Sequence, residues 1–502
     1  MGCDYGATNV TFSVGTYQDG IITIRTLLQV PNGTVRIRRA GESGSEDIEG
    51  KAWDLSGLQA MMRRALKAYA QDESSHLDSI GICTWGANFG ILCPDRTWHG
   101  DIRAYMDPFL VKHGVETVRS KINLQRIYEI TGVHPEFFNV SGDLADRTEP
   151  GKMPPFGSWM VPMPSLLYYY LGRKLPPFVD STWASVTQLV GKRTGEWSRA
   201  VCEALGIPMS MLPRIVEPGT VVGRARGVCL KGIRLGNPVS LVAVPMHDTG
   251  SAFSVAQVDR PEDVLVISAG SWLLIGKLLK EALTSTEAMK AGLSNERCAD
   301  GYFRCLQNCR GMAIVEALRK EWAVADGRTS SWQELDQLAM VAGEPKLFVD
   351  PRHRYFEGDG SMATAIAQYC ANTGQEVPVA RGEMLRVVYR SLAMQARAVS
   401  EDLARLTGQN TKVVNILGGP SQNKFLCQDL ANAFGMKVIA GPQEAATMGL
   451  MAAQVKAHGL VGTWGEVREL ARRSSQVVVY NPENREGWDQ TFCEYKRICA
   501  SI

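Results

Sequence analysis

Apolar residues recur along this chain at two spacings, which predict strands and helices in a fixed order. Alternating or continuous apolar runs predict strands at residues 10–14, 21–30 and 79–83. The tripeptide Gln18-Asp19-Gly20 predicts a hairpin turn between the first two strands. Apolar side chains three and four positions apart predict a helix over residues 55–71. The first half therefore reads as strand, strand, helix, strand.

The second half repeats this order. It contains predicted strands at residues 241–245, 264–267 and 413–417, with a hairpin return at 272–275. A long amphipathic helix is predicted over residues 383–406 and ends at Gly408. Two copies of one plan indicate gene duplication, with the active site between the copies. The chain of 502 residues is also too long for one core.

We therefore predict an α/β protein with an N-terminal domain over residues 1–240 and a C-terminal domain over residues 241–502. Residues 151–164 are rich in Pro, Gly and Met and lack a clear period, so we predict a loop or an edge insertion there.

Composition narrows the possible partners and the compartment. The formal net charge is +2 and no dense basic stripe is present, which argues against nucleic acid as a partner. The twelve cysteines lack the paired spacing of a zinc site and are typical of buried thiols in a reducing compartment. No signal peptide or long apolar run is visible, so we expect a cytoplasmic protein without a membrane partner.

Two segments of the sequence could carry catalysis. Asp4-Tyr5-Gly6-Ala7-Thr8-Asn9 opens a hairpin in which Gly6 would let a phosphate approach the backbone, although the motif taken alone favours an ordinary hairpin. His247-Asp248-Thr249 follows a buried strand. Asp248 is either the cap of the next helix or a base that accepts a hydroxyl proton.

Two further segments carry glycines in the second half. Ser268-Ala269-Gly270-Ser271-Trp272 could offer backbone amides to a phosphate or could be a tight turn anchored by tryptophan. Gly418-Gly419 precedes a helix, which is common loop geometry and also suits a nucleotide. The spacing from Gly270 to Gly276-Lys277-Leu278 does not match a Walker loop. The four segments in this order favour a kinase that binds ATP between two halves.

Together these segments resemble the FGGY family of carbohydrate kinases, within the sugar kinase–actin–Hsp70 superfamily, over residues 4–454. The segments 77–86, 294–296, 306–308 and 438–445 resemble the same family. Within it, the branch that acts on L-rhamnulose is most similar, and the loop Gly6-Ala7-Thr8-Asn9 is similar to the branch that acts on L-fuculose. The resemblance implies two duplicated ribonuclease H-like domains with a cleft between them.

The resemblance also implies a role for particular residues. Asp248 would be the general base that accepts the proton of the sugar C1 hydroxyl, with His247 and Thr249 beside the sugar. Gly86 and Asn295 would contact the sugar, and Asp4 would position Mg²⁺. The residues expected to face ATP are Ala7, Thr8, Asn9, Val10, Thr11, Ser271, Gln307, Gly418, Gly419 and Asn423.

The expected reaction converts a ketose and ATP into a ketose 1-phosphate and ADP, with L-rhamnulose as the first candidate. L-fuculose, another ketose or a polyol is the alternative substrate. A member of the family that binds sugar or nucleotide without catalysis is the alternative of a different class. A monomer or a homodimer is expected.

The sequence departs from the family pattern at four places. Cys83 and Asn88 stand where the family usually has aspartate, which could change the preference for sugar hydroxyls. Pro420 stands where a third glycine is usual. Only three residues precede Asp4, so we expect a clipped first strand, or a misassigned start, and a weaker anchor for the first phosphate loop.

Overall fold

The structure is a computed structural model that describes residues 1–39, 48–71, 76–172, 175–226, 230–257, 260–357, 360–483 and 486–502. The chain divides into two compact units. The first contains Met1–Val255, Lys280–Arg304 and Ala446–Ser474, and the second contains Ala256–Leu279, Cys305–Ala445 and Ser475–Ile502. Each unit is thus built from separate stretches of chain. The division of the sequence into domains at residue 240 stays a prediction.

The described strands have three to eleven residues, and the strands predicted from the sequence are among them. In chain order they are β1 (Gly2–Tyr5), β2 (Asn9–Gln18), β3 (Ile21–Pro31), β4 (Val35–Arg39), β5 (Ile48–Ala52), β6 (Ser79–Thr84), β7 (Phe89–Leu92), β8 (Trp159–Pro162), β9 (Phe178–Asp180), β10 (Arg214–Val216), β11 (Thr220–Arg224), β12 (Ser240–Ala243), β13 (Val264–Ala269), β14 (Trp272–Leu279), β15 (Leu293–Arg297), β16 (Phe303–Arg310), β17 (Val413–Leu417), β18 (Val438–Ala440) and β19 (Val478–Tyr480).

The helices connect these strands and cover the sheets. In chain order they are α1 (Leu55–Tyr69), α2 (Pro108–Arg119), α3 (Leu124–Thr131), α4 (Val140–Arg147), α5 (Met163–Leu171), α6 (Ser181–Ala184), α7 (Arg199–Leu205), α8 (Asp248–Ser254), α9 (Thr286–Lys290), α10 (Met312–Asp326), α11 (Trp332–Val341), α12 (Met362–Asn372), α13 (Arg381–Thr407), α14 (Lys424–Phe434), α15 (Ala445–Ala457), α16 (Trp464–Ser474) and α17 (Trp488–Cys499).

The main sheets of the two units share one topology. In the first unit the order is β3-β2-β1-β6-β12-β11, in which β3, β2 and β1 pair antiparallel, β1, β6 and β12 pair parallel, and β11 is antiparallel. In the second unit β14-β13-β17-β18-β19 repeats an antiparallel pair, two parallel pairs and an antiparallel end strand. The predicted duplicated α/β plan is confirmed.

Several local predictions are also confirmed. The hairpin turn between β2 and β3 has Asp19 and Gly20 at φ of 51° and 74°, the left-handed backbone that a tight hairpin requires. The long helix α13 ends at Gly408 with φ of 71°.

Strand β1 is short, yet it pairs on both sides, since Cys3 lies opposite Phe12 in β2 and Ile82 in β6. The segment predicted to be the first phosphate loop therefore follows a central strand.

The loop predicted over residues 151–164 is partly wrong. Strand β8 occupies Trp159–Pro162 and pairs antiparallel with β7, and α5 begins at Met163. Met160 and Val161 are buried in the core of the first unit. A strand of four residues has too few positions to show a period, and its partner β7 is distant in the sequence.

Most of the described cysteines are buried, as the composition predicts. Among the described residues the eleven cysteines are free thiols, and nine of them are buried. Within the same residues, the search for a helix both long enough and apolar enough to cross a bilayer found none.

Candidate active site

Three parallel strands of the first unit bring the predicted sugar-site residues to one edge of the sheet. Asp4 in β1 lies opposite Cys83 in β6, and Thr84 forms a parallel bridge with His247. The amide of Thr84 also donates to Met246 O at 2.9 Å. Because parallel strands end at the same edge, the residues that follow β1, β6 and β12 meet there.

Asp248 is the first residue of α8, and the side chain remains one-third exposed. Its Oδ1 accepts hydrogen bonds from the Thr249 amide at 2.5 Å and from Thr249 Oγ1 at 3.3 Å. Desolvation by the surrounding protein raises the pKa of Asp248 to about 6, against the lowering effect of the Thr249 hydrogen bonds. The carboxylate is thus held in place and is still basic enough to accept a proton near neutral pH.

His247 lies between Gly86 and Arg304. Arg304 Nη2 is 2.6 Å from His247 Nδ1, and the ring Nε2 is 3.4 Å from Asp248 Oδ1. A Cβ atom on residue 86 would lie 2.5 Å from His247 Nε2, so the glycine makes room for the ring. Burial of the ring lowers the pKa of His247 well below its usual value, and the positive charge of Arg304 lowers it further. The ring is therefore neutral.

Glu296 and Arg304, for which no individual role was predicted, form a buried ion pair beside His247. Arg304 is fully buried, Glu296 is 5% exposed, and Arg304 Nη2 and Nε lie 2.7 Å and 2.8 Å from Glu296 Oε2. Gly250 leaves room for this arginine, because a Cβ there would be 2.9 Å from Arg304 Nη1. Both strands that carry the pair are largely buried yet rich in polar residues, so no apolar pattern in the sequence marks it.

Asp4 and Cys83 form a second polar pair at the same edge. Cys83 Sγ donates to Asp4 Oδ1 at 3.4 Å. Burial raises the pKa of the Cys83 thiol, and the negative charge of Asp4 raises it further. The thiol therefore stays protonated and can donate. Among the described residues, no group of three or more His, Cys, Asp or Glu side chains suits a metal ion. A single carboxylate fits Mg²⁺ bound mainly to phosphates and water, which needs one or two carboxylates.

The predicted first phosphate loop joins β1 to β2 within the first unit. Thr8 and Asn9 are exposed, Ala7 and Thr11 are partly buried, and the Val10 side chain lies in the core. The turn is tight, since a Cβ on Gly6 would approach Asn9 O to 2.8 Å.

Asn32, for which no role was predicted, stabilises this loop through two hydrogen bonds. Its side chain donates to Gly6 O at 2.8 Å, and its backbone amide donates to Thr8 O at 2.8 Å. These two bonds fix the backbone of the loop at Gly6 and Thr8. The sequence carries no pattern that would single out this asparagine, because its partners are backbone atoms about 25 residues earlier.

Asn295 is 1% exposed, and its side chain is already engaged. Its Nδ2 donates to Gly132 O at 2.9 Å and to Leu283 O at 2.7 Å, and its Oδ1 accepts from the Leu283 amide at 2.8 Å. These bonds tie β15 to the end of α3 and to the segment before α9. The geometry gives the residue a structural role, and its predicted contact with the sugar stays a prediction.

Asn88 is a structural residue. Its Oδ1 accepts from the indole nitrogens of Trp53 and Trp85, both at 2.8 Å, and its Nδ2 donates to Arg103 O at 2.7 Å. Its φ of 76° is a conformation that asparagine tolerates better than most residues. Both acceptor sites and one donor of the amide are used within the protein, which explains asparagine at this position without a contact to the sugar.

In the second unit, β13 and β14 are joined by the tight loop Gly270-Ser271. The carbonyl of Ser271 accepts from the amides of Gly311 at 3.2 Å and Ala313 at 3.0 Å, so the loop packs on the start of α10. Gln307 is buried on β16, where its Oε1 accepts from Gln395 Nε2 at 2.5 Å. The structure thus leaves Ser271 partly exposed and places Gln307 in the interior.

The glycine pair of the second unit follows β17. Gly418 has φ of 91°, and a Cβ there would overlap Ala269 O in β13, so the position requires glycine. Pro420 lies in the first turn of the 3₁₀-helix Gly419–Gln422, a position that proline tolerates. Asn423 caps α14 by accepting from the Leu426 amide at 2.8 Å and donates to Asp336 at 3.1 Å. The two predicted glycine loops therefore lie side by side.

Known proteins match this fold and these segments. A model of the C-terminal domain of the FGGY family of carbohydrate kinases matches residues 265–458. A rhamnulokinase of Bacteroides thetaiotaomicron is 30% identical over 496 residues, or 98% of each chain, and one of Mannheimia succiniciproducens is 30% identical over 89% of each. The structure of a xylulose kinase from Lactobacillus acidophilus superposes with a TM-score of 0.76 at 17% identity, covering 99% of this chain and 96% of that chain.

The chain therefore belongs to the FGGY family of carbohydrate kinases. It is an ATP-dependent sugar kinase, with a sugar and ATP as its substrates.

Proposed function

We propose that this kinase phosphorylates L-rhamnulose at the C1 hydroxyl and that Asp248 is the general base. The observation that carries the proposal is the Asp248 carboxylate, which is fixed through Oδ1 by Thr249 and partly exposed. Its pKa is raised to about 6. The two relatives named rhamnulokinase support the choice of sugar.

In this mechanism the protein mainly positions the reactants. Asp248 accepts the hydroxyl proton as the new oxygen–phosphorus bond forms, and His247 and Gly86 border the sugar. The loop from Ala7 to Thr11 and Ser271 present backbone and side-chain donors to the ATP phosphates, and Gly418, Gly419 and Asn423 border the adenosine. Gln307 was predicted to face the ATP phosphates. Because its side chain is buried and bonded to Gln395, its proposed role is to position the part of the site that does so.

Asp4 is the proposed contact for Mg²⁺, through water. When bound, the ion would neutralise charge on the ATP phosphates. The thiol of Cys83 donates to the same carboxylate and orients it without adding a second negative charge.

The test is ADP release with Mg-ATP and a panel of L-rhamnulose, L-fuculose, L-ribulose, D-xylulose, D-ribulose and glycerol. Phosphorus NMR of the product identifies the phosphorylated carbon. Asp248→Asn is expected to lower kcat by at least about 100-fold. Because the fold raises the pKa of Asp248, the ionised group lowers stability near neutral pH, and the asparagine variant is expected to melt at the same or a higher temperature.

The matched control is Asp78→Asn, whose side chain is 73% exposed. It is expected to retain the activity of the unchanged protein. Highest kcat/KM on another sugar would overturn the choice of L-rhamnulose. Full activity of a folded Asp248→Asn variant would overturn the assignment of the base. ATP binding without turnover on any sugar in the panel would overturn the proposed reaction.

A further inference from the structure

Glu296, Arg304, His247 and Asp248 form a continuous polar chain inside the first unit. Arg304 Nη2 and Nε contact Glu296 Oε2, and the same Nη2 lies 2.6 Å from His247 Nδ1. The other ring nitrogen, Nε2, lies 3.4 Å from Asp248 Oδ1. The chain thus runs from a buried carboxylate to the proposed base.

The chemistry of arginine settles which imidazole nitrogen carries the proton. A guanidinium can only donate hydrogen bonds, so His247 Nδ1 must present its lone pair to Arg304. The neutral ring then carries its single proton on Nε2, on the side of Asp248. Glu296 Oε2 lies farther from Nδ1, at 3.6 Å, and is already bound twice by Arg304.

Neighbouring residues fix the positions of the Arg304 guanidinium and the His247 ring. Thr182 O accepts from Arg304 Nη2 at 3.3 Å, and Gly250 and Gly86 leave the space that the guanidinium and the ring occupy. A buried ion pair contributes little net stability compared with an apolar pair of the same volume. Its position behind His247 therefore calls for a role beyond packing.

The geometry points to Arg304 and Glu296 as positioning residues that keep the proton of His247 on Nε2. His247 then turns this proton to Asp248 Oδ1 and so orients the carboxylate for the transfer reaction. This inference rests on the proposed function of Asp248. With His247 and both Thr249 donors turned to Oδ1, no hydrogen bond among the described residues reaches Oδ2. Oδ2 is then the oxygen that accepts the sugar proton.

The first experiment measures the tautomer directly. Protein labelled with ¹⁵N-histidine gives imidazole nitrogen signals that distinguish the two neutral tautomers, and loss of a signal in His247→Gln assigns it among the seven histidines. We expect His247 to be neutral with its proton on Nε2. A proton on Nδ1, or a protonated ring at neutral pH, would overturn the inference even if the substrate assignment is correct.

The second experiment separates positioning from stability. Arg304→Met is expected to abolish the single tautomer and to lower kcat by at least about tenfold with little change in the KM for ATP, and Arg304→Lys, which keeps a donor, should recover part of kcat. Arg386→Met is the control, because Arg386 and Asp429 form a similarly buried pair in the second unit. It should leave the His247 signals unchanged and kcat within about twofold.

Glu296→Gln gives a result if Arg304→Met does not fold. Glutamine still accepts from Arg304, so the tautomer is expected to persist. A change of tautomer in this variant, in which Arg304 keeps its acceptors, would show that donation from Arg304 does not fix the proton on the ring and would overturn the inference. A folded Arg304→Met variant with unchanged kcat would also overturn it. If the unchanged protein phosphorylates no sugar, the proposed function fails, while the tautomer measurement still decides the geometry.

Discussion

Gly86→Ala tests how closely the histidine ring is packed behind the proposed base. A Cβ at residue 86 would lie 2.5 Å from His247 Nε2, 2.9 Å from Cδ2 and 3.0 Å from Cε1, whereas ordinary contact begins at 3.4 Å. The backbone of Gly86 is not in the left-handed region, so alanine adds only this overlap. The substitution therefore acts through a single displaced side chain.

The expected magnitude follows from the distance. The ring must retreat by about 1 Å, but Arg304 is fully buried behind Nδ1 and blocks the direct path. A displacement of about 1 Å at a catalytic group costs on the order of 100-fold in rate, so we expect this loss in kcat. Overpacking should also lower the free energy of unfolding by about 1–3 kcal/mol.

The assay is steady-state kinetics with the best ketose of the panel, together with urea unfolding. Gly33→Ala is the matched control, because a Cβ there meets nothing within 4 Å. In the double variant with His247→Ala, the stability cost of Gly86→Ala should disappear, since the ring is gone. Activity of Gly86→Ala within about twofold of the unchanged protein would refute the close packing. A rise in KM for the sugar alone would show instead that the methyl group blocks the substrate.

Two further predictions concern the same unit. Because the pKa of Asp248 is raised to about 6 and the base must be ionised, kcat/KM should fall about tenfold per unit below about pH 6 and stay level above it. A profile that is level from about pH 5 to about pH 8 would contradict this role. Asn88→Asp should lower the free energy of unfolding by about 1–3 kcal/mol, because Arg103 O loses its donor and faces a carboxylate. Equal stability in urea would contradict that account.

The elements with strong periodicity could be predicted from the sequence. Helix α13 has 27 residues and a buried face, so its pattern survives a few polar interruptions. Strand β8 has four residues, and its burial depends on pairing with β7, which no local pattern reveals. The limit is physical: short strands are stabilised by partners that are distant along the chain.

The same limit applies to the candidate site. Asp248 was predictable because it follows a buried strand and begins a helix, which is a local feature. The link from Glu296 through Arg304 to His247 depends on the packing of two strands against the start of α8. Asn295 resembled a sugar ligand in sequence, yet its amide is used by backbone groups of Gly132 and Leu283. A sequence pattern identifies the residue type but not the partner.

The two departures from the family's aspartates have different physical consequences. Asn88 supports two indoles and a carbonyl, so an aspartate there would mainly disturb the core. Cys83 lies at the sheet edge, where it donates to Asp4 and is within electrostatic range of Asp248. A carboxylate at residue 83 would repel both and would make both harder to ionise. The neutral thiol adds no negative charge beside the proposed magnesium contact Asp4 and the proposed base Asp248. An electrostatic effect of replacing the two aspartates on these carboxylates is thus expected to arise at residue 83 rather than at residue 88.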